Sequence, residues 1–208
     1  MSAVERPVEP AAAVRPAEPE PAADARRTPG EGGIWVFILA DMTVFALMFG
    51  ALVLLQADDP ARYELGQDHL HVGVGVANTI VLLGSSLAVA LAVRHARAGA
   101  LVPARRLFSV AFGCALLFWA LKLYEYTSLG GDGVSARENE FFLYYFSFTG
   151  VHLLHVTLGL AGLAGVVRLT RRPALSDHER SLVETGASYW HMVDLLWIVL
   201  FALLYLYG

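Results

Sequence analysis

Long apolar stretches separated by short polar ones dominate this chain after Gly33. Five runs stand out: Ile34–Leu55, Val72–Val93, Leu107–Tyr124, Phe141–Val167 and Ala187–Tyr207. A helix needs about 20 apolar residues to cross a hydrocarbon core of about 30 Å. The pattern therefore predicts an all-α protein, a bundle of five transmembrane helices over about 34–55, 72–93, 107–126, 141–167 and 187–207. Pro60, Pro103 and Pro173 fall between the runs, where a missing N–H does least harm.

The first 32 residues break the pattern. They hold six of the nine prolines, six acids (Glu5, Glu9, Glu18, Glu20, Asp24, Glu31) and four arginines. Such a segment buries too little apolar surface to offset its ordering entropy, so 1–32 is expected to be a disordered cytoplasmic tail ahead of a membrane domain over 33–208. It holds no apolar stretch of the secretory-signal kind, and its acids argue against a mitochondrial transit peptide.

Composition sharpens the picture. Hydrophobic residues make up 56% and charged residues 16% of the 208, against about 25% charged in ordinary domains. A disordered chain and a nucleic-acid binder are excluded. One cysteine, Cys114, excludes internal disulfides and multi-cysteine metal clusters. Arginines mark the loops: four in the tail, then Arg94, Arg97, Arg105 and Arg106, then Arg168, Arg171, Arg172 and Arg180, against Arg62 and Arg137 on the other side. The positive-inside rule then places the N-terminus in the cytoplasm and the C-terminus outside. Small residues (Gly84, Ala88 and Ala92; Gly159, Gly162 and Gly165) are expected at helix–helix contacts.

Ionisable groups at membrane depth cost about 2.5–3.5 kcal/mol each on the insertion scale and need a partner or a purpose. They are Asp41, Lys122, Glu125, His152, His155, His191 and Asp194. Asp41, His155, His191 and Asp194 are expected at one depth in the cytoplasmic half. His191 and Asp194, three apart, share a helix face, as do His152 and His155. Two readings stay open: a proton-handling or cofactor site, and a hydrogen-bonded set that fixes helix register. Lys122 and Glu125, also three apart, read as an interfacial salt bridge with a snorkelling lysine. Three intramembrane histidines, two on one helix, leave one haem conceivable but no haem–copper centre. A di-iron site lacks its second Glu-x-x-His pair, and no phosphate-binding glycine loop is present. No redox or ATPase centre is visible in this polypeptide.

Five strings, in order, resemble subunit III of the haem–copper respiratory oxidases. They are GIWVFILADMTVFALMFG around Asp41, NTIVLLGSSLAVALAVRHARA from Asn78, LKLYEY ending at Tyr126, FFLYYFSFTGVHLLHVTLG around His152 and His155, and YWHMVDLLW around His191 and Asp194. The resemblance covers essentially all of 33–208. It is to the short, five-helix form, which lacks the first two helices of the mitochondrial type. That form is also found in the E-type accessory protein of nitric oxide reductase. The family's buried carboxylate is often Glu; here it is Asp41.

The resemblance implies a multi-pass subunit of the bacterial inner membrane with no metal or catalytic centre of its own. It implies haem and copper in partner subunits I and II, bound phospholipid, and support for proton uptake by subunit I in aerobic electron transport. The alternatives are an accessory subunit of a nitric oxide reductase and, remotely, a free-standing haem or metal enzyme or proton-coupled carrier. Trp35, Trp190, Tyr205 and Tyr207, near helix ends, suit lipid headgroup contact.

Overall fold

The computed structural model describes residues 32–207 except Asp132, Arg137 and Glu138; the tail expected over 1–32 lies outside these, Gly32 apart. Six α-helices follow in order: α1 (Gly32–Asp58), α2 (Pro60–Gln67), α3 (Val72–Arg97), α4 (Leu101–Gly131), α5 (Glu140–Leu169) and α6 (Asp177–Phe201). A π turn, Ala202–Leu206, continues α6. No strand occurs among the described residues. All but α2 are long and apolar enough to span a membrane, α6 together with its π turn.

The spanning helices outrun the apolar stretches. Hydropathy marks only the part that suits hydrocarbon, whereas the backbone keeps its i→i−4 bonds into the headgroup region. At α6 the extension is ten residues. Ser176 and Glu179 form a reciprocal capping box there, which satisfies backbone donors that a helix start leaves open. Asn139 caps α5 by accepting from the Phe142 N–H at 3.0 Å. Pro60 and Pro103 lie within first turns rather than between helices. A first-turn N–H has no intrahelical acceptor, so proline costs little there.

The bundle is up and down. Arg97 at the end of α3 bonds Glu184 near the start of α6 at 2.7 Å. Gln56 near the end of α1 and Gln67 at the end of α2 both donate to the Tyr207 carbonyl, at 3.2 and 3.1 Å. The eight arginines of the α3–α4 and α5–α6 connections therefore gather at one end, the basic end.

Helix α3 packs mainly on α4, and α6 packs on α1, α3 and α5. Ala88, Ala92 and Ala96 of α3 and Ala104, Ala111 and Ala115 of α4 are buried. Ser85 Oγ reaches the Ala111 carbonyl at 3.2 Å, a separation only small neighbours permit. Gly99, at φ +74°, turns the chain between these helices. In the most apolar window of α6, 56% of residues are buried, against 17% in α1. Helix α6 is thus the central post and α1 the outlying one.

The small-residue rows divide. An added Cβ at Gly159 would lie 2.6 Å from the Trp190 ring, so close packing there requires glycine. At Gly84, Gly162 and Gly165 an added Cβ meets nothing within 4 Å. Those three are not contacts within the bundle.

Candidate functional site

Polar side chains inside the bundle form two centres and several bridges. The first centre lies where α4, α5 and the π turn meet, away from the basic end. Lys122 and Glu125 are 1% and 0% exposed. Lys122 Nζ donates to Glu125 Oε2 at 2.9 Å, to the Tyr205 hydroxyl at 2.9 Å and to the Tyr145 hydroxyl at 3.1 Å. Tyr205 donates in turn to Glu125 Oε1 at 2.7 Å. An ammonium has three donors, and all three are used. Both carboxylate oxygens accept. The rings of Tyr145, Trp197, Tyr205 and Tyr126 surround Nζ at 4.8, 5.0, 5.4 and 5.6 Å, within cation–π range.

This corrects the expectation of a snorkelling lysine in an interfacial salt bridge. Snorkelling is favoured when water is the best partner within reach. Here the carboxylate, two hydroxyls and four ring faces take that place. Tyr205 is also corrected: it is 6% exposed and turned inward by the π turn, not set among headgroups. Trp190 is fully buried, donating to Ser85 Oγ at 3.0 Å. Trp35 and Tyr207 are exposed.

The second centre joins α1 to α5. His155 Nε2 lies 3.1 Å from Asp41 Oδ1, with the side chains 12% and 14% exposed. His155 Nδ1 lies 2.8 Å from the Val151 carbonyl. A carbonyl only accepts, so Nδ1 carries a hydrogen. The imidazole thus ties Asp41 of α1 to the backbone of α5 near the bundle surface. Phe45 sets its ring edge-on to the imidazole at 5.4 Å, and Tyr189 donates to the His155 carbonyl at 3.1 Å.

The remaining candidates lie outside both centres. His191 Nδ1 bonds Ser86 Oγ at 2.7 Å, not Asp194. His152 is fully buried between Phe118 and Trp197, at centroid distances of 5.7 and 5.3 Å. Asp194 is buried in α6. The layer expected from Asp41, His155, His191 and Asp194 thus divides into an Asp41–His155 pair and a second group in which Ser86 meets His191 and also lies beside Asp194. Depth along a helix is legible from residue count, but rotation about its axis is not.

Sequence reasoning passed over Tyr145, Thr149, Tyr126 and Ser86. Tyr145, Thr149 and His152 recur at helical spacing on α5, and the Tyr126 hydroxyl meets Thr149 Oγ1 at 2.6 Å. That recurrence was a usable signal of a polar face turned inward.

The family model for cytochrome c oxidase subunit III matches residues 30–208. This chain belongs to the cytochrome c oxidase subunit III family. A cytochrome c oxidase subunit 3 from Synechocystis sp. is 30% identical over 84% of this chain and 74% of its own length. A quinol oxidase subunit 3 from Bacillus spizizenii is 27% identical over 85% and 86%. A cytochrome bo(3) ubiquinol oxidase subunit 3 from Pseudomonas putida is 26% identical over 85% and 84%. Both centres lie within the stretch that the family model covers.

Proposed function

We propose that this chain is the non-redox subunit III of a proton-pumping haem–copper terminal oxidase of the cytochrome c oxidase type, in a bacterial inner membrane. The family match over residues 30–208 carries the reading. In it the chain packs on catalytic subunit I, with subunit II in the same complex and haem and copper held by those partners. It binds phospholipid and supports proton uptake and catalytic durability. The gathered arginines favour a cytoplasmic basic end and an outward C-terminus. The Asp41–His155 contact, an imidazole against a carboxyl group, suits a supporting role in proton supply.

The test is co-purification of the tagged full-length chain from its native membrane in mild detergent, with partner chains identified by mass spectrometry. Oxidase subunits I and II, with a Soret band that travels with them, are expected. Recovery of a nitric oxide reductase pair overturns the assignment in favour of that accessory role. Stoichiometric haem or metal in the chain stripped of partners overturns it in favour of a free-standing enzyme.

A further inference from the structure

Helix α2 sits opposite the basic end, and its side chains hold the backbone of the π turn. The Tyr63 hydroxyl donates to the Leu203 carbonyl at 2.7 Å. Gln67 Nε2 donates to the Leu204 and Tyr207 carbonyls at 3.0 and 3.1 Å. The last carbonyls of any helix lack intrahelical partners, so capping accounts for these bonds. It does not account for the register. The Tyr207 N–H donates five residues back, to the Ala202 carbonyl at 2.9 Å. In an α register it would donate four back, to Leu203, the carbonyl that Tyr63 holds. Tyr205 lies inside the turn, and this winding brings its hydroxyl to Glu125 and Lys122 at 2.7 and 2.9 Å.

A second path runs from α2 to the same pair. Tyr63 meets the Phe141 ring edge-on at 4.9 Å. Phe141 in turn lies nearly parallel to the Tyr145 ring, at 18° and 6.4 Å. Tyr145 is the other hydroxyl that Lys122 Nζ reaches. A Cβ added at Gly66 would lie 2.3 Å from the Phe141 ring, so α2 is seated directly on α5.

We infer that the π turn is a two-register latch: α2 holds it in the π register, and that register keeps Tyr205 on the Lys122–Glu125 pair. When α2 lifts, the Tyr207 N–H takes the Leu203 carbonyl and the turn winds as α. Tyr205 then swings off the pair, because α winds more per residue than π. Single π turns within longer helices recur at functional sites. A partner that displaces α2 thus acts on a buried ion pair it never touches, through an element with two discrete arrangements. The latch works in the same way whichever complex the chain serves.

Fluorotyrosine placed at position 205 of the full-length chain, in its purified complex, tests this by fluorine NMR. The wild type should give one resonance. Tyr63→Phe with Gln67→Leu should move most of the intensity to a second resonance, and Gln67→Leu alone a smaller share. Ser176→Ala, which weakens the far end of α6, should leave the resonance where it is. Thermal midpoints give a second reading. The loss from the double variant and the loss from Tyr205→Phe should fall short of additive when combined, because both empty the same contact. An unmoved resonance in the double variant, or strictly additive losses, would overturn the latch and leave α2 an ordinary helix cap. Where the double variant does not assemble, Gln67→Leu alone carries the test, and its unmoved resonance counts equally against the latch.

Discussion

Lys122 is the residue whose surroundings depart most from what its type suggests. A lysine in an apolar run ordinarily reaches for water, yet this one ends among Glu125, Tyr145 and Tyr205. Removing one member of a buried pair strands the other charge, which costs roughly 3–5 kcal/mol. Lys122→Met and Glu125→Leu should each lower unfolding stability in detergent by about that much. The double variant should lose clearly less than the two losses combined, because no charge is left alone. Thermal unfolding of the four proteins checks it, and strictly additive losses would refute the pairing. The i, i+3 spacing of Lys122 and Glu125 was visible in the sequence. Their tyrosine partners are 23 and 80–83 residues away, and no local pattern joins residues so separated. That is why the ion pair was legible and its burial was not.

At the scale of elements, helix existence was legible and helix extent was not. Apolar runs reported the five spans because lipid punishes exposed backbone and charge over a fixed thickness. They missed α2, whose eight residues are too polar and short to register. That helix is fastened by Tyr63, 2% exposed, whose hydroxyl donates to the Leu203 carbonyl at 2.7 Å in the π turn. Burial pushes the Tyr63 phenol up to about 12. A raised phenol means that the folded state holds its proton more tightly than the unfolded state. Its contribution is complete below pH about 10, the unfolded phenol value, and drains away as pH rises toward 12. Tyr63→Phe should therefore be less stable than wild type at pH 8, by about 1 kcal/mol for the lost hydrogen bond. The gap should shrink as pH climbs from about 10 to 12. Unfolding midpoints of both proteins across that range decide the matter; a gap constant with pH would show that the phenol does not titrate differently on folding.

For the whole molecule, the weakest internal attachment is that of α1, and it is the helix that carries Asp41. Val36, Leu39, Leu47 and Leu54 all face outward from it. Its polar fastenings to the rest include Asp41 to His155 and Gln56 to the Tyr207 carbonyl. A membrane subunit with a loosely attached, apolar outer helix depends on lipid and partner chains to hold that helix. Asp41→Ala removes the carboxyl end of the contact with His155, one of those fastenings. The other spans pack together without it, α3 and α5 on α6 and α4 on α3 and α5, so the chain should still insert. Loss is expected at the level of the assembled complex, as looser retention of this chain in detergent and several-fold fewer turnovers before inactivation. Asp41→Glu keeps the acid, one methylene longer, and should keep both properties near wild type. Counting oxygen turnovers to inactivation, with the chain's stoichiometry in the same preparation, separates the two effects. An Asp41→Ala complex that assembles and lasts like wild type would remove the Asp41–His155 pair from any part in durability.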